Sequence, residues 1–426
     1  MNFDNLKKLN DRAYSFTLSP THVTYANTLR RLILTGVETV AFRSDMTSTG
    51  STTDVVVKRN DTPMTNEMLA DRIGLIPINI TEPLSWKDDK YIFSLKVAGN
   101  KDNTTYVKAG DFKISEVNSI LNDDANSELI IVPSDKFFPV NPITRDTCLI
   151  ATLQPGSGPT QQFIEITGKA TKGTGREHAR FSPVSQCSYE YSPDSDPQRI
   201  EEMFVGWLNV TKKAGGVEKG SERYNELRRE FNTMQIKRCY KINEKGEPDS
   251  FDFTVETAGV LPVPYIVERA CEVGENMCSR YVNIHRGELP AEITISSADC
   301  RIIGYDFLIR GHDHTLGNLL QTWLVENHIQ GDASPKVTFA GYSVPHPLRD
   351  EMVLRIGVED GEEATARQAL AEAAKGCVDM FQKIRIAWRT SIGASALPAL
   401  PSTASTVTPG AASKSIRRKT PKVATS

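Results

Sequence analysis

None of the seven cysteines (Cys148, Cys187, Cys239, Cys271, Cys278, Cys300 and Cys377) stands in a C-x-x-C pair, and their number is odd. Zinc knuckles and disulfide frameworks both need paired spacings, so neither is expected. A run of about 18 apolar residues, enough for a membrane helix, is missing. The opening MNFDNLKKLNDR also lacks the apolar core of a signal peptide. Equally missing are G-x-x-x-x-G-K-[ST], G-x-S-x-G and H-E-x-x-H, the local arrangements for phosphate cradling, a serine nucleophile and a zinc protease. These absences predict a soluble, intracellular, metal-free chain without catalytic machinery of its own.

What is present is ordinary in amount and uneven in placement. The 426 residues suffice for two or three domains with real cores, at 39% hydrophobic and 24% charged residues. The formal charge is −3, but residues 391–426 hold Lys414, Arg417, Arg418, Lys419 and Lys422 and no acid, which leaves −8 for the rest. A nucleic-acid channel needs clustered Lys and Arg, so an acidic body points to protein partners instead.

The stretch from Ala13 to Phe42 reads as strand, helix, strand. Tyr14 to Leu18 alternates, and Ser19-Pro20 suggests an N-cap followed by proline at the first helical position. Ala26, Leu29, Ile33 and Val37 then form an apolar stripe with Arg30 and Arg31 beside it. Gly36 ends the helix and Val40 to Phe42 resumes as strand. A second copy follows in YDFLIRGHDHTLGNLLQTWLVENH, with Tyr305 to Arg310 as strand, Asp313 as N-cap, and Leu316, Leu320, Trp323 and Leu324 as the stripe. Phe16 precedes Asn27 by eleven positions, as Phe307 precedes Asn318. Val40-Ala41-Phe42 has its expected counterpart in Val337-Thr338-Phe339. Solenoids repeat every 20–50 residues or so; two distant copies suggest an internal pseudo-dimer.

Tyr91 to Val97 and Phe163 to Thr167 read as strands separated by Gly- and Asn-rich turns, which marks residues 49–178 as an inserted β-rich domain. Residues 1–48 and 179–285 make the first half, with a strand at 251–256 and a long helix from Pro264 to Ile284. Residues 286–304 read as a linker and 305–390 as the second half, closed by a helix from Thr365 to Ile386. The Ala/Ser/Thr/Pro-rich stretch 391–426 cannot bury enough apolar surface to order itself, and reads as a disordered basic tail, solubilising or carrying a nuclear-localisation signal.

ANTLRRLILTGVETVAF (26–42), NDTPMTNEMLADRIGLIPI (60–78), GTGREHARFSPVSQCSYEY (173–191) and FDFTVETAGVLPV (251–263) resemble, in order, the larger α-like subunit of multisubunit DNA-directed RNA polymerase, the archaeal D type. GHDHTLGNLLQTWL (311–324) and PKVTFAGYSVPHPL (335–348) resemble the smaller, L-type subunit. The series resembles the fused subunit of some large cytoplasmic DNA viruses. The resemblance implies an α+β fold: an α-type dimerisation unit present twice as an intramolecular pseudo-dimer, with the β-rich insertion on the first copy. It implies a scaffold without cofactor or small-molecule substrate, on which two large catalytic subunits and small zinc-binding assembly subunits gather. DNA is reached only through the complex, and the expected location is the host cytoplasm or virion, with the nucleus as alternative. Many larger α-like subunits carry a four-cysteine module in the insertion; its absence here means that the strands alone must hold that domain together.

The resemblance places Ala26, Leu29, Ile33, Val37, Asp313, His314, Leu316, Asn318, Leu320 and Trp323 at the dimer interface. It places Arg30, Arg31, Arg72, Arg176, Glu177 and His178 against partner subunits. Three rival readings exist. His312, His314, His328 and His346 could serve a metal enzyme, but adjacent side chains in a capping segment point apart, and Asp313 is better explained as a cap. Glu177-His178 could be an acid–base pair, but no nucleophile accompanies it. A free-standing regulator that binds DNA through the basic tail is opposed by the acidic body.

Overall fold

The computed structural model describes residues 1–45, 54–117, 129–299 and 301–393. The expected start of the insertion near residue 49 and the tail from 394 onward lie outside the described residues.

The chain opens with β1 (Asn2–Lys8), β2 (Ala13–Ser19) and α1 (Val23–Thr35). β1 pairs along β2 from Asn2–Ser19 to Lys8–Tyr14, so Ser19 is held extended in a strand and does not cap the helix. The N-cap is His22, whose Nδ1 accepts the Thr24 N–H at 3.1 Å. β1 itself has too few apolar residues to read as a strand, so the pairing that extends β2 through Ser19 was not visible in the sequence. α1 stops at Gly36, where the sequence placed its end, in a right-handed conformation (φ −101°). Space explains the glycine: a β-carbon there would lie 3.0 Å from the Leu32 carbonyl oxygen and 3.1 Å from the Val273 side chain.

β3 (Glu38–Ala41) closes this stretch, and the insertion follows: β4 (Val55–Asn60), α2 (Asn66–Gly74), β5 (Tyr91–Ala98), β6 (Thr105–Lys108), β7 (Lys113–Val117), β8 (Leu129–Val132), β9 (Leu149–Leu153), β10 (Phe163–Gly168) and β11 (Thr171–Thr174). One sheet runs β4-β10-β5-β7-β8, and β6 pairs with β9. β3 and β11 form a two-stranded stem, Ala41 opposite Thr171 and Glu38 opposite Thr174. The core here is aromatic, with Phe93 in contact with Phe42, Phe112, Phe137 and Phe138. Strands do not hold it alone: α2 buries Leu69, Ala70 and Ile73 in the same cluster.

Beyond the stem come β12 (Val184–Tyr191), α3 (Pro197–Val210), α4 (Glu222–Met234), β13 (Phe251–Thr257) and α5 (Val263–Ser279). The first sheet runs β1-β2-β13-β12. The α3–α4 hairpin was not expected; it closes on its own small cluster of Phe204, Leu208, Leu227 and Phe231. The second half is β14 (Ile293–Ser297), β15 (Gly304–Arg310), α6 (His314–Leu324), β16 (Phe339–Ser343), β17 (Glu351–Gly357) and α7 (Glu363–Ile392). Its sheet runs β14-β15-β17-β16. β14 occupies the stretch expected as a linker, pairing Ile293 with Ile309 and Ser297 with Tyr305; five residues of alternation are too few to tell from a loop.

The duplication goes deeper than one helix. β2 and β15 are the strands before the short helices, and each lies beside the strand before a long helix. Phe16 faces Phe253, and Phe307 faces Leu354. His22 and Asp313 occupy the same cap position, each accepting the N–H two residues on. The counterpart of β16 is therefore β12, because both flank the strand of the long helix. The expected match of Val337-Thr338-Phe339 to Val40-Ala41-Phe42 fails, since β3 pairs with the insertion's β11. The two halves share one apolar core that runs from Phe3 to Trp388.

Because that core is continuous, the peptide link between the halves is dispensable. Cutting the exposed Gly287–Glu288 bond should leave co-expressed fragments that copurify as a one-to-one pair, whereas a cut at Ile295 should break β14 and abolish recovery. Fragments that stay apart after the first cut would refute the shared-core account.

Candidate functional site

The largest joint between the halves is the antiparallel packing of α5 on α7. A β-carbon at Gly274 would fall 2.7 Å from the Phe381 ring, so glycine is what lets the two backbones approach. Trp388 of α7 is fully buried in the first half, 4.9 Å from the Phe3 ring and 5.1 Å from Phe16, and its indole N–H donates to the Pro264 carbonyl at 3.0 Å. Charges run beside the apolar contact. Arg389 donates to Glu268 at 2.6 Å, Arg385 to Glu272 at 3.3 Å, and Gln382 to Glu275 at 2.7 Å. Glu268 is 1% exposed, so its Arg389 partner offsets a large desolvation cost. None of these residues was singled out from the sequence. The signal was there: Glu268, Glu272 and Glu275 on one helix face, and Arg385 and Arg389 one turn apart on another.

The short helices meet in a polar joint. Ala26, Leu29, Ile33, Val37, Leu316 and Leu320 are all fully buried in the common core. The bonds that cross come from the neighbouring row: Thr322 to Thr24 at 3.1 Å, Asn318 to Thr24 at 3.4 Å, and Tyr25 to Glu326. The Trp323 ring lies 6.1 Å from Tyr25 across the joint. Arg31 reaches over as well, donating to Thr315 at 2.8 Å and to Asp313 at 3.3 Å. Asp313 thus caps its own helix and holds the other half. Burial raises the pKa of its carboxyl, but the Thr315 N–H and hydroxyl, with Arg176 and Arg31, hold it below the ordinary value. His314 stays within its own half, with Nδ1 3.3 Å from the Tyr342 hydroxyl.

The return loop from the insertion also turns inward. Arg176 donates to the Gly311 carbonyl at 2.8 Å and pairs with Asp350, both in the second half. Glu177 holds Arg43 in a two-point bond of 2.5 and 2.8 Å, which keeps its carboxyl below the usual range. His178 accepts from the Arg180 N–H and guanidinium at 3.1 and 3.0 Å, and Arg180 donates to the Phe42 carbonyl at 2.9 Å. These residues clamp the stem, the insertion and the second half together. Arg30 and Arg72 are different. Among the described residues, the exposed Arg72 donates only to the Leu149 carbonyl, at 3.2 and 3.3 Å, while Arg30 bonds Asn27 at 3.0 Å and has no acidic partner.

The histidines do not converge. His312 sits against Tyr281 (5.9 Å between rings), and His328 is buried with Nδ1 2.8 Å from the Pro335 carbonyl oxygen. Among the described residues no group of three or more His, Cys, Asp or Glu is placed to hold a metal ion, and no helix is long and apolar enough to cross a membrane.

With this geometry in view, comparison with known proteins is decisive. The family described as the RNA polymerase Rpb3/Rpb11 dimerisation domain matches residues 15–278, and a second family of the same description matches residues 305–386. The chain belongs to the Rpb3/Rpb11 family. It carries that family's dimerisation domain twice, and the shared core shows the two domains packed on each other. The bovine DNA-directed RNA polymerases I and III subunit RPAC1 is 26% identical over 302 residues, 65% of this chain and 82% of its own. The Rpo3 subunit of Methanosphaera stadtmanae is 24% identical over 305 residues, 66% of this chain and 98% of its own. Subunit 3 of RNA polymerases II, IV and V of Arabidopsis thaliana is 25% identical over 299 residues, 63% of this chain and 86% of its own. The chain is thus homologous to assembly subunits of DNA-directed RNA polymerase.

Two measurements probe the joint. Gly274→Ala should cost about 1–3 kcal/mol in chemical denaturation, because Phe381 must leave its rotamer or the helices must part. An unchanged midpoint would mean that the close approach carries no energy. Burial, with Arg176 and Arg280 nearby, pushes His312 down from 6.5 to about 4. Its folded pKa lies below the unfolded value, so this contribution to stability is complete above about pH 6.5 and is lost as pH falls toward 4. Thermal unfolding should therefore show up to about 3 kcal/mol of acid sensitivity that His312→Asn removes.

Proposed function

We propose that this chain is the non-catalytic assembly platform of a DNA-directed RNA polymerase, uniting in one polypeptide the pair of α-like subunits on which the two large catalytic subunits gather. The observation that carries the reading is the presence of both dimerisation domains in series, sharing one core through the α5–α7 joint. Fusion makes the pairing intramolecular and independent of concentration, so the platform is preassembled before any partner arrives. The metal ions and carboxylates of nucleotidyl transfer belong to the large subunits, and the chain meets DNA only through them. Small zinc-binding subunits complete the assembly. The acidic body and the absence of a metal cluster among the described residues favour this reading over a DNA-binding regulator or a metal enzyme.

Within that reading, Ala26, Leu29, Ile33, Val37, Leu316, Asn318, Leu320 and Trp323 hold the pseudo-dimer, with Asp313 joining cap and seam and His314 supporting its own half. Arg31, Arg176, Glu177 and His178 act from inside, keeping the platform rigid, whereas Arg30 and Arg72 face outward to partners. The in-line fusion also suggests a viral polymerase working in the host cytoplasm. Affinity capture of the tagged chain from producing cells should bring down two large polymerase subunits. Arg72→Glu should weaken that capture roughly tenfold or more while leaving thermal stability unchanged, the pattern of a lost interface charge. Capture of the chain alone under all salt conditions would sink the proposal.

A further inference from the structure

The duplication permits a comparison at matched positions, and at one place the halves differ in a way that matters. β12 and β16 are both edge strands, each hydrogen-bonded on one side only. Registers align them: Tyr189 lies opposite Phe253, as Tyr342 lies opposite Leu354. The helix positions align through Asn27 and Asn318, which matches Arg30 to Gln321 and Ala26 to Gly317.

In the second half the edge is closed from within. The Gln321 side-chain carbonyl accepts the outward Tyr342 N–H at 3.1 Å. Gly317 lets the helix lie on that strand, since a β-carbon there would fall 2.4 Å from the Tyr342 ring. In the first half both devices are missing. Position 26 is alanine, and position 30 is arginine, which has five donors and no acceptor and so cannot cap an N–H. Ser192 donates inward to the Ser250 carbonyl at 2.9 Å. By the alternation of an antiparallel ladder, Cys187, Tyr189 and Tyr191 then turn their N–H and C=O groups outward. No partner for those N–H groups exists among the described residues.

The open edge faces a groove of about 630 Å³ lined by Asn27, Arg30, Tyr189, Glu190 and Lys237. Neither Arg30 nor Lys237 has an ion-pair partner among the described residues, so the groove carries two cations against Glu190. The chain itself shows that this edge takes strands. Just past β12, Tyr240 bridges Pro193 in antiparallel fashion, and Lys241 donates to the Ser192 carbonyl at 3.0 Å. That pairing stops at the end of β12.

We propose that the β12 edge is a strand-addition site, and that its occupant is an extended, acidic segment of a partner subunit. The segment would pair with Cys187, Tyr189 and Tyr191 and place a carboxylate on Arg30. Backbone bonds supply the affinity and the Arg30 ion pair fixes register. The closed β16 edge confines the addition to one half, which gives a pseudo-symmetric platform a direction. An open edge is an aggregation hazard unless a partner covers it, so the cations serve a second purpose: they repel like edges.

The inference rests on the assembly reading, and the test separates the two. Amide-resolved hydrogen exchange is compared between the free chain and the chain in its purified polymerase. The Cys187, Tyr189 and Tyr191 amides should exchange freely in the first and slow roughly tenfold or more in the second, with Tyr342 protected in both. A complex that forms while these amides stay fast overturns the strand-addition site and leaves the platform intact. Protection in the free chain that grows with concentration, with a dimer mass in sedimentation, also overturns it, because the occupant is then a second copy. As a probe independent of the polymerase, a peptide of about eight residues alternating valine and glutamate should protect the same three amides. Arg30→Gln, which restores the acceptor found in the second half, should lower peptide binding roughly tenfold or more at unchanged thermal stability. Equal binding by wild type and Arg30→Gln would refute the role of Arg30.

Discussion

The approach of α5 to α7 at Gly274 and Phe381 is the contact on which the rest of the molecule depends. Neither four-stranded sheet has a second layer of its own wide enough to bury both faces of its long helix. Laid antiparallel, each long helix becomes the cover for the other, and Trp388 carries the second half's apolar surface into the first. The carboxylate–arginine bonds alongside it fix the helices in register. Removing Arg389 would leave Glu268 buried without its partner, a loss of about 3–5 kcal/mol.

Once that seam is set, the two copies are free to diverge elsewhere. The first carries its insertion between α1 and β12 and a helical hairpin between β12 and β13. Large additions are tolerated there because closing a longer loop costs little extra entropy. The second copy crosses the same gap with a short connection. Arg43, Glu177 and Arg180 tie the insertion's stem back to the body, while Arg176 ties it to the second half. The insertion is therefore a bound appendage.

Local patterning recovered much of this architecture. The duplicated strand–helix unit, the strands at 91–97, 163–167 and 251–256, and the Asp313 cap were legible because each is a matter of neighbours in sequence. β1 and β14 were not, since each is an edge strand with only two apolar residues, whose existence depends on a partner that only the sheet supplies. The hairpin α3–α4 escaped notice because its apolar residues pack only on each other, in a cluster apart from the main core. The site was harder still. The apolar stripes were visible, but the bonds across the seam come from the adjoining row at Thr24, Tyr25 and Arg31, and nothing local says which side of a helix meets its twin.

The sequence by itself determined that the unit occurs twice, that the body is acidic, and that the chain lacks the spacing for zinc or a phosphate loop. Periodicity, charge and motif spacing are properties of consecutive residues, so they survive without coordinates. Only the tertiary structure decided which charges face inward. Arg30 and Arg31 are adjacent and chemically identical, yet one closes on Asp313 across the seam and the other stands over an open strand edge. Rotation by about 100° per residue around a helix turns neighbours in sequence into residues on different surfaces.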